Sequence, residues 1–178
     1  MMPMWLLDDG PLGWLALALD ASWDWPSSTL HVVGHVASSA GRDRSGRRAK
    51  LLSMAPKGGA PSIQVHEIPV PSPAADMVFS HLRPDSSDTD EDLGEHESIA
   101  LCALVEPQAI FVAADKKAAF LAMAELGGAR VATPFDCWAS LKDNLLISPA
   151  QFSTLCERTV KESGLPGLPR RFKPNAVT

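Results

Sequence analysis

The sequence predicts a three-layer α/β/α domain with a parallel central sheet. Short apolar runs with the composition of buried strands alternate along the chain with longer segments that have helical periodicity. Parallel strands need helical crossovers between them, and this alternation supplies such crossovers. In addition, Asp8 and Asp115 each stand where an apolar run passes into a helix. Open α/β sheets bind their ligands at that edge, so a functional site is expected there.

The first half of the chain supplies three predicted strands. Residues 4–7 form an apolar run that ends at Asp8-Asp9-Gly10-Pro11, which predicts a buried strand followed by a helix. Residues 30–33 are apolar but too few for periodicity to distinguish a strand from the start of a helix. Residues 63–68 alternate with period two, which favours a strand, and residues 71–82 resemble a short helix.

The second half continues the alternation. Its predicted elements are a helix with an acidic first turn at 94–104, a buried strand at 108–113, an Ala-rich helix at 116–126, a short strand at 129–132, a helix beginning at Thr133 and a helix beginning at Ser148. With 178 residues, 46% of them hydrophobic, the chain is long enough for one domain with a core. We expect that domain to span residues 1–147, with helix 148–163 packed on it and an irregular basic tail at 164–178.

Composition narrows the function classes. A net charge of −5 argues against binding a polyanion over the whole surface but allows a local basic patch. The three cysteines are far apart and form no C-x-x-C pair, so neither a disulfide framework nor a zinc site is indicated. The first residues lack a basic signal-peptide region, and the apolar run 12–19 is too short to span a bilayer. We therefore expect a cytoplasmic protein with no membrane partner.

The strongest basic cluster in the chain follows the second apolar run. It consists of Arg42, Arg44, Arg47, Arg48 and Lys50, opposed only by Asp43. Five cations in nine residues form a credible surface for contacting phosphates. A solvated helix face explains the same cluster at least as well, and both interpretations stay open.

The acids at 94–97 also have two interpretations. Glu95 and Glu97 lie in the first turn of an otherwise apolar helix, where acids complement the helix dipole. Taken alone, the segment favours capping. Asp8 and Asp115, at two other junctions, change the balance, because acids at the carboxyl ends of parallel strands converge on one edge of the sheet. A buried carboxylate is costly unless it is paired or bound to a metal, so the set predicts a site.

Four segments carry a resemblance to a known family. They are Leu6-Leu7-Asp8-Asp9-Gly10-Pro11-Leu12, Leu93-Gly94-Glu95-His96-Glu97-Ser98-Ile99-Ala100-Leu101, Phe111-Val112-Ala113-Ala114-Asp115-Lys116-Lys117-Ala118-Ala119 and Gly127-Gly128-Ala129-Arg130-Val131-Ala132-Thr133. In order and spacing, up to about Leu146, they resemble the PIN-domain family of metal-dependent ribonucleases, which includes the toxin ribonucleases of bacterial toxin-antitoxin pairs.

The resemblance implies a chemistry and a set of partners. The catalytic residues and metal ligands would be Asp8, Glu95, Glu97 and Asp115, holding Mg²⁺ or Mn²⁺ through carboxylate oxygens. The substrate would be RNA, with its backbone bound by the basic cluster together with Lys116. The resemblance also implies a toxin-antitoxin or defence setting, in which a cognate antitoxin or another small protein is a partner and a homodimer is an allowed assembly.

The main departure from the family pattern is His35. It occupies the position where the family has a second glutamate, and a neutral imidazole prefers softer ions and brings no negative charge. His35 fits equally well as a structural histidine and as a metal ligand. The family pattern also has an acid after Asp115, and no residue here clearly matches it. Asp136 is a weak candidate, and it fits better as the cap of its own helix.

Three function hypotheses follow. The leading hypothesis is a metal-dependent endoribonuclease of PIN type. The alternative is a catalytically weak or inactive PIN-like module that binds RNA or a protein partner, and it is motivated by His35. An unrelated α/β nucleotide-binding protein ranks lowest, because the chain has no Gly-rich phosphate loop.

Overall fold

Five strands form the centre of the molecule. The computed structural model describes residues 3–18, 30–54, 63–81, 92–113 and 115–163. The strands are β1 (Met4–Leu7), β2 (Leu30–Val33), β3 (Ile63–His66), β4 (Ala109–Val112) and β5 (Val131–Ala132). They form one all-parallel sheet in the order β3-β2-β1-β4-β5. The second apolar run, which the sequence left unassigned, is thus a strand.

Helices cover both faces of the sheet. The described helices are α1 (Asp9–Ala18), α2 (Gly34–Ala40), α3 (Arg47–Ser53), α4 (Pro73–His81), α5 (Leu93–Ala100), α6 (Lys116–Leu126), α7 (Pro134–Asp143) and α8 (Pro149–Ser163). The chain moves outward from β1 to β3 and then crosses back to β4, so right-handed crossovers place α1 to α3 on one face and α4 to α6 on the other. The predicted three-layer α/β/α architecture is confirmed. None of the described helices is long and apolar enough to cross a membrane.

The core lies on both faces of the central strands. Leu6 and Leu7 of β1 and Phe111 and Val112 of β4 are fully buried, as expected for strands covered by helices on both sides. Helix α8 packs against α1 and α7. At the α7 contact, the buried indole Nε1 of Trp138 donates to the hydroxyl of Thr159 at 3.0 Å.

The strand order fixes where a ligand crevice must lie. Strand β1 pairs with β2 on one side and with β4 on the other, so the connections leave β1 and β4 in opposite directions. A crevice opens at the carboxyl ends of two such strands. Asp8 follows β1 directly, and its N–H donates to the carbonyl of Val112 at 3.3 Å. Asp8 therefore lies at the mouth of the crevice.

Three predicted elements differ in their bounds. The strand expected at 63–68 ends at His66, because its partner Val33 is the last residue of β2 and α2 begins at Gly34. The helix expected at 94–104 becomes a π-helix over Leu101–Val105. The strand expected at 129–132 begins with the 3-10 turn Gly128–Arg130. Arg130 connects this 3-10 turn to the π-helix. Its guanidinium donates to the carbonyls of Cys102, Glu106 and Ala109, and so supplies hydrogen bonds to carbonyl groups at the end of the π-helix.

A pair of histidines links β2 to β3. His31 Nδ1 and His66 Nε2 are 2.8 Å apart, and the two residues are diagonal neighbours on the same face of the sheet. Burial, together with the charge of His66, lowers the pKa of His31 to about 4. His31 is therefore neutral at pH 7, and the pair shares one hydrogen bond between two imidazoles.

Of the segments predicted from the sequence, the structure describes the C-terminal helix but not the tail. Helix α8 occupies the segment expected for the helix at 148–163, beginning at Pro149 after Ser148. The basic tail expected at 164–178 lies outside the described residues.

Candidate functional site

A groove opens at the carboxyl end of the sheet, and its lining comes from the starts of α1 and α5, from α2 and from the loop after α2. Its volume is about 240 Å³. The residues lining it are the acids Asp8, Asp9 and Glu95, the bases His35 and Arg42, and Val36, Ser39 and Gly94. The groove thus combines three carboxylates with a guanidinium and an imidazole, which suits a phosphate bound together with a cation.

Asp8 forms the floor of the groove. It is only 5% exposed, and its Oδ1 accepts the N–H of Asp9 at 2.7 Å. Because Asp8 precedes the first residue of α1, its carboxylate lies at the positive end of that helix.

Glu95 enters the groove from the first turn of α5. Helix α5 approaches α2 closely at Gly94, where a Cβ would lie 3.0 Å from Cγ2 of Val36. A glycine at this position lets the acidic turn reach the edge of the sheet. Within the described part of the chain, Oε2 of Glu95 is buried and has no hydrogen-bond partner.

The electrostatics of Glu95 show that the acids have been brought together. Burial, together with the negative charges of Asp8, Asp115 and Asp92, raises the pKa of Glu95 to about 7. Lys117 acts in the opposite direction. Of the four acids predicted from the sequence, Asp8 and Asp115 therefore lie close enough for their charges to act on a third, Glu95.

Asp115 caps a helix and also acts on Glu95. It is the N-cap of α6, and its Oδ1 accepts the N–H of Ala118 at 3.0 Å. The residue is exposed, and its charge still acts on Glu95. Capping uses one of its two carboxylate oxygens, since the described cap involves Oδ1 alone.

Glu97, the fourth predicted acid, has a different position. Its Oε2 accepts the backbone N–H of His35 at 3.1 Å, in the first turn of α2, and it is not among the residues that line the groove. Glu97 thus anchors α2 against α5. This contact explains how His35 is held at the groove, where the structure places it beside Asp8 and Glu95.

Asp9 belongs to a separate cluster with Arg48 and Ser39. Arg48 Nη1 donates to both carboxylate oxygens of Asp9, at 2.6 and 2.8 Å, and the Ser39 hydroxyl donates to Asp9 Oδ1 at 2.6 Å. The guanidinium also packs on Gly13, where a Cβ would lie 2.6 Å from Nη2. The side chain of Arg48, predicted to bind RNA, is thus bound within the protein.

The other cations of the basic cluster are distributed over the loop and α3. Arg42 lines the groove, whereas Arg47 lines a second cavity of about 100 Å³ next to Arg48. Arg44 and Lys50 are exposed and line neither cavity, and Lys116 is exposed at the start of α6. Asp43 anchors the loop, and hydrogen bonds from Ser45 lower its pKa.

Sequence reasoning missed Asp92 and Lys117. Lys117 Nζ lies 2.5 Å from Asp92 Oδ2, and this hydrogen bond raises the pKa of Lys117. The pair joins the N-terminal ends of α5 and α6, which carry Glu95 and Asp115. A signal was present, because Asp92 lies three residues before Glu95 and Lys117 two residues after Asp115. Asp136, by contrast, forms the expected capping box with Thr133.

The donor set suits a hard divalent cation, although it is incomplete. Among the described residues, no three His, Cys, Asp or Glu side chains are grouped closely enough to hold an ion. The acids around Glu95 are thus near enough to repel one another but not arranged around a single point. Mg²⁺ needs only one or two carboxylates, with waters and substrate phosphate completing its shell. The unpartnered Oε2 of Glu95 is the kind of oxygen that such an ion would take up.

Comparisons with protein-family models, with curated proteins and with solved structures gave no match. The fold and the groove define a doubly wound α/β domain with an acidic crevice at its switch point. The resemblance to PIN-domain ribonucleases consequently rests on the sequence segments alone.

Proposed function

We propose that this protein is a metal-dependent endoribonuclease of PIN type that cleaves RNA phosphodiester bonds. The observation that carries the proposal is the position of Glu95, with a buried and unpartnered oxygen, among the charges of Asp8 and Asp115 at the switch point of the sheet. Acids held so close repel one another, and a divalent cation relieves that repulsion.

The predicted site residues have different roles in this proposal. Asp8 and Glu95 would hold Mg²⁺ or Mn²⁺, and Asp115 would add negative charge from the start of α6. The bound ion would polarise the phosphodiester and make a bound water more acidic. Arg42, on the wall of the same groove, would attract the RNA phosphate. Glu97 would position His35 and α2 through its backbone contact rather than bind the ion.

The direct test is a cleavage assay on the full-length chain with a labelled single-stranded RNA. We expect cleavage with Mn²⁺ or Mg²⁺, loss of cleavage with EDTA, and recovery when the ion is restored. Glu95→Gln should lose the activity while keeping the fold, since glutamine has a similar shape and no charge. Cleavage that continues in EDTA, or a wild-type chain with none, would contradict the proposal.

A second candidate function is favoured by His35. An imidazole in the groove supplies no negative charge, and the described residues provide no set of three ligands. The chain would then be a weak or inactive PIN-like module that binds RNA or a protein partner. This alternative predicts RNA binding without cleavage, and it predicts that His35→Glu strengthens Mn²⁺ binding. Calorimetric titration of both chains with Mn²⁺ distinguishes the two functions.

A further inference from the structure

We propose that Lys117, at the start of α6 beside the acids Glu95 and Asp115, is a phosphate-binding residue that Asp92 holds near its position and that moves to the RNA phosphate when substrate binds. This inference rests on the proposed function. It concerns a residue outside the set predicted from sequence, and it starts from the ion pair between the ends of α5 and α6.

The location of Lys117 connects it to the acids of the groove. It is the second residue of α6, whose N-cap is Asp115, and its partner Asp92 is the N-cap of α5. Its charge interacts with Glu95 and Asp115 in addition to Asp92. A phosphate bound through a cation at Glu95 would therefore lie within the electrostatic reach of Lys117.

The ion pair is weak enough to be exchanged. The side chains of Lys117 and Asp92 are 68% and 39% exposed, and exposed pairs of this kind contribute little to stability. Lysine also has a flexible four-carbon stem and a compact charge that binds phosphate readily. Leaving Asp92 for a phosphate thus costs little free energy.

Arg48 provides the contrast that makes Lys117 the better candidate. Arg48 is 26% exposed, donates to both oxygens of Asp9 and packs against Gly13. Moving its guanidinium would leave Asp9 without its cation and open a gap in the packing. Lys117 has one such bond in the described structure and no comparable packing, so it is the cation that can move.

Two variants break the same ion pair in opposite ways, and this makes the test specific. Lys117→Gln removes the cation, whereas Asp92→Asn keeps the cation and frees it. The assay is Mn²⁺-dependent cleavage of a fluorescein-labelled single-stranded RNA by the full-length chain. We expect Lys117→Gln to lower kcat/KM by roughly 10- to 100-fold, the value of one charge-assisted hydrogen bond. Asp92→Asn should keep or raise kcat/KM. Lys117→Arg, which keeps a cation at this position, should have most of the wild-type kcat/KM.

Metal binding and a neighbouring lysine serve as further controls. Lys117→Gln should bind Mn²⁺ at least as tightly as the wild type in calorimetric titration, because losing a nearby positive charge favours a cation. Lys116→Gln, one position earlier on the same turn, should reduce kcat/KM less than Lys117→Gln.

Several outcomes would overturn the inference. Equal losses in Lys117→Gln and Asp92→Asn would mean that the pair only positions the two helices. Equal losses in Lys117→Gln and Lys116→Gln would mean general attraction of RNA. A wild type that cleaves RNA together with a fully active Lys117→Gln would overturn the inference alone. A wild type that neither binds Mn²⁺ nor cleaves RNA would overturn the proposed function and the inference with it.

Discussion

Asp8 and Asp9 are adjacent in the chain, line the same groove and have opposite environments. Asp9 is neutralised by the protein itself, through two bonds from Arg48 and one from Ser39. Asp8 is 5% exposed and lies among acids, close enough to Glu95 for its charge to raise the pKa of that residue. One carboxylate thus has a protein cation bound to it, and the other belongs to a group with excess negative charge.

The proposed function gives these two acids different roles. Arg48 joins α3 to the start of α1 through Asp9, so that contact stabilises the fold. The charges of Asp8 and Asp115 act on Glu95, so ionising Glu95 in the folded protein lowers stability in the absence of a ligand. A carboxylate with a strongly raised pKa in a groove is a candidate site for a cation.

The largest expected effect is on catalysis. Asp8→Asn and Asp115→Asn should each reduce Mn²⁺-dependent RNA cleavage by roughly 100-fold or more, because the ion loses a ligand or the charge that attracts it. Asp9→Asn should keep most of the cleavage, since Asp9 is already neutralised. Rates measured on the three purified variants check this. Similar losses in Asp8→Asn and Asp9→Asn would remove the distinction between the two acids.

The second effect concerns the pH dependence of metal binding. With its pKa near 7, Glu95 must release a proton before its oxygens bind a cation. The apparent affinity for Mn²⁺ should therefore fall roughly tenfold for each pH unit below 7. Calorimetric titrations with Mn²⁺, at about three pH values between 5.5 and 8 for each variant, would measure this pH dependence. Glu95→Gln should abolish this slope, and an unchanged slope would show that another group titrates.

The third effect is on stability, with opposite signs for the two kinds of acid. The pKa of Glu95 is raised from 4.5 to about 7, so the folded state binds more protons than the unfolded state between these values and stability falls as pH rises through them. Without metal, Glu95→Gln should raise the free energy of unfolding at pH 8 by on the order of 2 kcal/mol, with little change at pH 4. Asp9→Asn should lower it by about 1 kcal/mol. Urea denaturation at both pH values measures these changes, and a destabilised Glu95→Gln would contradict the account.

The smallest effect distinguishes two exposed arginines of the basic cluster. Arg42 lines the groove and Arg44 does not. Arg42→Gln should weaken binding of single-stranded RNA a few-fold more than Arg44→Gln, by roughly one lost phosphate contact, and should reduce the salt dependence of binding. Fluorescence anisotropy at several salt concentrations checks this. Equal effects would indicate a diffuse basic surface instead of a groove contact.

Local signals in the sequence were sufficient for much of the fold. Strand β1 and helix α6 have the predicted bounds, because an apolar run before Asp8 marks the strand and an Ala-rich run at 116–126 marks the helix. The character of β2 was decided by its pairing with β1 and β3, which no local pattern contains. The π-helix after α5 depends on Arg130, which is distant in sequence from the carbonyls it binds.

The candidate site shows the same limit. Asp8, Glu95 and Asp115 were predictable because each follows a strand or begins a helix at one edge of a parallel sheet. Glu97 was assigned to the same group as Glu95. Residues two positions apart on a helix point in different directions, so helical periodicity could have separated the two glutamates. The pairing of Arg48 with Asp9 spans 39 positions and has no counterpart in the sequence pattern.

The most direct test of the central claim is a crystal structure of the full-length protein soaked in Mn²⁺ near pH 8, with anomalous data collected for manganese. The account predicts an anomalous peak in the groove, with Asp8 and Glu95 among its ligands and the Asp9–Arg48 pair intact. Glu95→Gln crystals treated in the same way should lose the peak. A groove without manganese in the wild type, or a peak that persists in Glu95→Gln, would contradict the claim that these acids form a metal site.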